Sequence, residues 1–125
     1  MSAADGVKRS SIELLLLTLL QDEDMYGYQI SQELERRSDG AYTLQESSMY
    51  PILYRMMDKG YISDKPVKVG KRRTRVYYHL EDAGVERLAQ ARKEYLSLSL
   101  GVLKILGITE FGAMEEEVYG SQNAE

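Results

Sequence analysis

The sequence predicts a mainly α fold that carries one β-hairpin and ends in a long helix. Three observations predict it. Apolar residues recur at spacings of three and four across residues 8–21, 26–38 and 81–106. Between Tyr61 and Leu80 the pattern changes to short runs rich in β-branched and aromatic residues. A glycine-led cationic turn, Gly70-Lys71-Arg72-Arg73, divides those runs into two strands. At 125 residues, 43% of them hydrophobic and 29% charged, the chain has the size and apolar content of one domain around one core.

Residues 1–7 are small and polar without periodicity and are expected to form a flexible N-terminal arm. The first helix is expected from about Lys8 to Gln21. Ile12, Leu15, Leu16 and Leu19 define its inner face, with Leu14, Leu17 and Leu20 to the sides. So wide an apolar arc calls for two packing partners. Asp22-Glu23-Asp24 reads as an exposed turn. The second helix follows over Tyr26–Ser38 with Ile30 and Leu34 inward, closed by the turn residues Ser38-Asp39-Gly40. Tyr26 and Tyr28 read as core residues, and Gly27 between them as a close helix approach or a sharp entry. Tyr42-Thr43-Leu44 is β-prone. The third helix starts between Glu46 and Ser48 and ends at Gly60. Pro51 favours a start at Ser47 or Ser48, because proline is tolerated in a first turn. Ile52, Leu53, Met56 and Met57 supply its buried side.

The last long helix is expected over Glu81–Leu106, with Asp82 near its positive end and Gly107 as its stop. Such a helix is about 39 Å long, against a width of about 26 Å for a domain this small. A second copy of the chain is the simplest partner for its far half. The chain therefore divides into the arm (1–7), a compact domain (8–80), a dimerisation helix (81–107) and an acidic, partly disordered tail (108–125). Ile108 to Tyr119 has the makings of a short helix.

Composition excludes several classes of function. There is no cysteine, so disulfides and thiolate metal sites are ruled out. No cationic leader followed by an apolar run and a small-residue cleavage site is present, and the apolar stretch Ile12–Leu20 is too short to span a bilayer. A cytoplasmic protein without membrane attachment is expected. The net charge of −4 argues against a polyanionic partner only on average. Lys65, Lys68, Lys71, Arg72, Arg73 and Arg75 fall within residues 65–80, which hold no acidic residue. A local basic patch on an acidic protein draws phosphate to one place and repels it elsewhere.

The order helix, helix, short strand, helix, hairpin is that of a winged helix-turn-helix. In that topology the third helix enters the DNA major groove and the hairpin wing lies along the backbone or the minor groove. Four ordered segments carry a closer likeness: Met25-Tyr26-Gly27-Tyr28-Gln29-Ile30, Ser48-Met49-Tyr50-Pro51-Ile52-Leu53, Asp58-Lys59-Gly60-Tyr61-Ile62, and Arg72-Arg73-Thr74-Arg75-Val76-Tyr77-Tyr78. They resemble the signature segments of PadR-type transcriptional regulators, over roughly Ser10 to Leu88. Tyr54 departs from the pattern, standing where the family often has a basic residue. The resemblance implies a homodimer joined through its first and last helices, bound to a pseudo-palindromic operator and usually acting as a repressor. The short tail resembles the subgroup with a single C-terminal dimerisation helix. In some of its members an aromatic cavity between the long helices receives flat, apolar molecules. The matching aromatic here is Tyr95, with Leu14, Leu15, Leu88 and Ser99 as neighbours in a candidate effector pocket; ordinary packing in the dimer interface is the plainer and favoured reading of Tyr95.

The candidate contacts to double-stranded DNA are Ser47, Ser48, Tyr50, Tyr54 and Arg55 on the third helix and Lys71, Arg72, Arg73 and Arg75 on the wing. Each has a plainer alternative. The two serines also suit helix capping, Tyr50 the core, Arg55 a surface ion pair, and the wing cations a solvated turn. Lys65, Lys68 and Arg75 are divided by strand alternation, which sends some of them away from the DNA, and Lys8 and Arg9 read as solubilising. His79, the single histidine, reads as structural, and Glu115-Glu116-Glu117 as a solvated face that holds no metal. Gly70-Lys71 lacks the first glycine and the following hydroxyl of a phosphate-binding loop. With no cofactor motif and no nucleophile–base pair, an enzyme is not expected. The rival reading is a winged-helix module for protein–protein contact that binds no operator.

Overall fold

The structure is a computed structural model that describes residues 3–120. Its elements are α1 (Ala3–Asp22), β1 (Met25–Tyr26), α2 (Gly27–Arg37), α3 (Glu46–Asp58), β2 (Ile62–Lys68), β3 (Thr74–Leu80), α4 (Asp82–Leu106) and α5 (Phe111–Tyr119). The fold is mainly α with a β-hairpin wing, as the periodicity predicts. No single helix among the described residues is long and apolar enough to cross a membrane. The chain divides into two compact units, Met1–Ala91 and Arg92–Glu125.

Within the first unit, Ile12, Leu16, Leu17, Leu19 and Leu20 of α1 are buried with Met25, Ile30, Leu34, Met49, Leu53, Met56, Ile62, Tyr78 and Leu88. The inner face of α1 differs from expectation. Leu17 and Leu20 are buried, whereas Leu15 is only half-buried, like Leu14. The cause is that α1 packs against both α2 and β3, so its buried arc is turned away from the stripe that spacing alone selects. Glu13 and Arg87 close the far side with an ion pair at 2.8 Å. The first turns of α4 belong to this unit, with Gly84 and Leu88 both buried.

Two further expectations are corrected. Helix α1 begins at Ala3, so residues 3–7 are helical rather than an unstructured arm; the alanines there carry the highest helix propensity of any residue. Met1 and Ser2 lie outside the described residues, as do 121–125 of the expected disordered tail. The short strand is not Tyr42-Thr43-Leu44 but Met25-Tyr26, which pairs antiparallel with Tyr78 and Tyr77. Residues 42–44 find partners elsewhere: Ser38 Oγ accepts from the Tyr42 amide at 2.9 Å, and Ser31 Oγ donates to the Leu44 carbonyl at 2.7 Å. Side chains thus meet the Tyr42 amide and the Leu44 carbonyl, groups that a ladder would otherwise pair.

The sheet has the order β1-β3-β2, with β2 and β3 antiparallel in the register Ile62↔Leu80 to Lys68↔Thr74. Helix α3 is stopped as expected at Gly60, which has φ +78°. The Gly60 amide donates to Met57 O at 2.9 Å and the Tyr61 amide to Met56 O at 3.0 Å. That double closure needs a left-handed residue, and it turns the chain directly into β2. The second unit contains the rest of α4 and α5. It exposes Leu96, Leu98, Leu100, Val102, Ile105, Leu106, Phe111, Val118 and Tyr119 to solvent.

Candidate nucleic-acid interface

Helix α3 starts at Glu46, earlier than Pro51 suggested, with Gln45 as its N-cap and no side-chain cap. Pro51 is thus the sixth helical residue. The bond it cannot make is the one to the Ser47 carbonyl, close to the exposed end of the helix, where water can replace it. The capping alternative for Ser47 and Ser48 fails on the same observation. Both lie inside the first turn with exposed side chains, free for an external partner. Met49, Leu53 and Met56 anchor the opposite side of α3 in the core.

Tyr50 is half-buried and donates its hydroxyl to Glu46 Oε2 at 2.8 Å. That bond, followed by burial, raises the Tyr50 pKa above the usual phenol value. Tyr54, one turn on, is 55% exposed and stacks on Tyr50, with ring centroids 6.3 Å apart. Arg55 is exposed. Gly27 is buried because α3 comes up against it: a Cβ there would stand 2.8 Å from the Tyr50 hydroxyl and 3.4 Å from Glu46 Oε2. The expected close approach is therefore present.

The expectation that Tyr26 and Tyr28 are both core is corrected. Tyr26 is half-buried, its ring edge-on to Tyr77 at 5.4 Å. Tyr28 is 53% exposed. Ile30 sets the inner face of α2, and two residues back along a helix is roughly 200° around it, so Tyr28 points outward.

The wing is the β2–β3 hairpin. Gly70 takes φ +88°, and the Val69 amide donates to Arg73 O at 3.0 Å to close the turn. Lys71, Arg72 and Arg73 are exposed, and among the described residues no carboxylate pairs with them. Arg75 is half-buried, its guanidinium 4.4 Å from the centre of the Tyr26 ring, a contact that holds it in place without neutralising it. Lys65 and Lys68 are exposed on β2. The cations of α2 differ from those of the wing. Arg36 and Arg37 both hydrogen-bond to Glu33, and Arg37 also reaches Asp22 at 2.6 Å. The hydrogen bond from Arg36, with Arg37 beside it, holds the Glu33 carboxyl down to about 2.

Helix α3 and strand β3 meet at a cleft of ≈ 300 Å³ whose walls include Tyr28, Glu46, Tyr50, Tyr54, Thr74 and Arg75. Tyr78 also lines it; burial pushes its hydroxyl up to about 12. Of these, Tyr28, Glu46, Thr74 and Tyr78 are absent from the DNA contacts selected by sequence. The spacing Glu46–Tyr50, four apart on a helix, is the signal that marks the first pair.

The Nδ1 of His79 lies 2.7 Å from Asp24 Oδ1, tying β3 to the turn after α1, and that bond raises its pKa. Of the expected effector-pocket residues, Leu14 and Leu15 on α1 are half-buried and Leu88 is buried in the core of the first unit. Tyr95 and Ser99, on the α4 segment of the second unit, are 37% exposed and half-buried respectively.

The family described as the transcriptional regulator PadR-like family matches residues 16–90. Among solved structures, a transcriptional regulator from Clostridium thermocellum is 26% identical with a TM-score of 0.73, covering 79% of this chain and 96% of its own. A PadR-like transcriptional regulator from Bacillus cereus is 27% identical with a TM-score of 0.71, covering 81% and 96%. The fold is also that of Bacillus subtilis PadR, solved in complex with operator DNA, at 24% identity and a TM-score of 0.59, over 63% of this chain and 45% of that one. An uncharacterised protein of Lysinibacillus sphaericus is 29% identical over 87 residues, 70% of this chain and 80% of the relative.

Proposed function

The chain belongs to the PadR-like family of transcriptional regulators, and on that premise we propose that it is a homodimeric repressor that binds a pseudo-palindromic operator. The N-terminal half of α3, with Ser47, Ser48, Tyr50, Tyr54 and Arg55, enters the major groove. The wing, with Lys71, Arg72, Arg73 and Arg75, follows the backbone beside it. Two half-sites about one helical turn apart, ~34–36 Å, match the two-fold symmetry of such a dimer. One observation carries the reading. In a chain of net charge −4, six cations and no carboxylate fall within residues 65–80, none of the six is ion-paired among the described residues, and strand β3 of this wing shares a cleft with the exposed start of α3. A field of one sign at one place is what counterion release from duplex DNA requires.

The apolar surface of the second unit supports dimerisation. Leu96, Leu98, Leu100, Val102, Ile105 and Leu106 are all more than 45% exposed, more apolar surface than a short segment leaves in water without a partner. Tyr95 in that segment is the proposed platform for a small hydrophobic effector. Such a ligand regulates only if it binds the two spacings of the paired α3 helices with different affinity. The testing experiment is an electrophoretic shift on the DNA upstream of the protein's own coding region, at physiological salt with excess competitor. A competitor-resistant shift is expected. No shift at any salt concentration contradicts operator binding and turns the winged helix into a protein–protein module.

A further inference from the structure

The wall of the α3–β3 cleft contains one carboxylate, Glu46, among tyrosines and the Arg75 guanidinium. On a surface proposed to face phosphates, that is the wrong charge for affinity. We propose that Glu46 is a specificity-determining residue, whose carboxylate accepts a hydrogen bond from the exocyclic amine of a cytosine in each half-site. The inference rests on the DNA-binding reading above.

Three observations carry it. Glu46 is the first residue of α3, in the part of the helix that a winged helix presents to base edges. Its carboxylate is held in place: Oε2 accepts the Tyr50 hydroxyl at 2.8 Å, and Tyr50 itself is braced by the stack on Tyr54 and the backbone of Gly27. Oε1 has no hydrogen-bond partner among the described residues, and no cation is paired with the group. A half-buried carboxylate fixed in this way is a directed acceptor.

The chemistry of the groove then selects the partner. Only cytosine N4 and adenine N6 present donors there, and adenine places its N7 acceptor beside the donor, where it repels a carboxylate. Cytosine alone offers a donor without that penalty. Before any other base, Glu46 stands unpaired near phosphate charge and lowers affinity, so it discriminates by disfavouring wrong sequences as well as by rewarding the right one. An acid in a first helical turn also suits the helix dipole. That role alone would alter stability and leave base preference untouched.

The test is selection of binding sites from random duplex DNA by the full chain, its Glu46→Gln and Glu46→Ala variants, and Tyr50→Phe, with a melting curve for each. The native chain is expected to select a two-fold symmetric site with cytosine at one position per half-site, preferred about tenfold. Glu46→Gln moves that position to adenine, since an amide pairs with N6 and N7 together. Glu46→Ala erases the preference there, keeps the rest of the site, and tightens binding to unrelated DNA. Tyr50→Phe retains the charge but frees the carboxylate, and weakens the preference without changing the base. Identical selected sites for the native chain and both Glu46 variants overturn the inference while leaving operator binding intact. If a Glu46 variant melts below the assay temperature, an unweakened cytosine preference in Tyr50→Phe overturns it. Failure of the native chain to select any sequence overturns the DNA-binding reading, and this inference with it.

Discussion

Replacing Lys71, Arg72 and Arg73 together by alanine removes three cations that sit at a solvent-exposed turn with no carboxylate partner among the described residues. The truncation strands no buried charge, and the turn's closing bond from Val69 to Arg73 is backbone to backbone. Stability should therefore change by less than about 0.5 kcal/mol, as for ordinary surface substitutions. Affinity for DNA should change far more. Each phosphate neutralised contributes a slope of about −0.9 in log affinity against log salt, so three contacts contribute about 2.7 per wing. Across the fourfold rise from about 50 to about 200 mM salt, that slope amounts to a factor of about 40. The native protein should lose at least that much more affinity than the variant over this range, and a second engaged wing enlarges the gap. Fluorescence anisotropy on a labelled duplex at several salt concentrations measures both slopes, with circular dichroism to confirm folding. The loss should be uniform across sequences, because phosphate contacts carry no base information. A variant that folds normally and keeps the native slope would refute the reasoning.

Other expectations are more local. Gly84→Ala gains about 1 kcal/mol of helix propensity but drives a Cβ into the Tyr61 carbonyl and to 2.6 Å from Leu80 Cδ1. Because Tyr61 O also accepts the Glu81 amide at the head of α4, the net effect should be a loss of about 2 kcal/mol, read as a Tm lowered by on the order of 10 °C. A neutral or raised Tm would mean that the contact yields easily. The bond to Asp24 raises the His79 pKa in the folded chain, with Glu81 acting the same way and Lys65 against it. Its contribution is thus fully present below the unfolded value of about 6.5 and is lost as pH rises through the folded one. Urea midpoints of the native chain and His79→Gln should differ most near pH 5.5 and converge near pH 8.5; a gap independent of pH contradicts the ion pair. Tyr95→Ala should leave DNA affinity unchanged and abolish the response to any planar apolar compound that weakens binding by the native protein. An intact response removes Tyr95 from the effector site.

Local chemistry made much of this fold legible. The glycine that stops α3, the glycine-led wing and the extent of α4 follow from residues whose preferences do not depend on distant contacts. What escaped depends on tertiary partners. The buried arc of α1 is set by two neighbours, so Leu17 is fully buried while Leu15, on the stripe that spacing selects, is not. Strand β1 is two residues long and exists only because Tyr77 and Tyr78 lie beside it. Helix α3 begins ahead of the position proline prefers, since the bond lost at Pro51 is near the exposed helix start. The site divides in the same way. The wing cations are legible as an unbroken run of one sign. Tyr28 and Glu46 join the cleft only once Gly27 brings α2 against Tyr50, a closeness that the glycine hints at but does not aim.

The central claim is that two copies of this protein place two α3 helices and two wings on one duplex. Hydroxyl-radical footprinting of the upstream DNA tests it most directly. The account predicts two symmetric protected segments with centres about one helical turn apart, and flanking protection that disappears from the Lys71→Ala, Arg72→Ala, Arg73→Ala variant. A single unsymmetrical footprint, or protection unchanged by the loss of the wing cations, contradicts it.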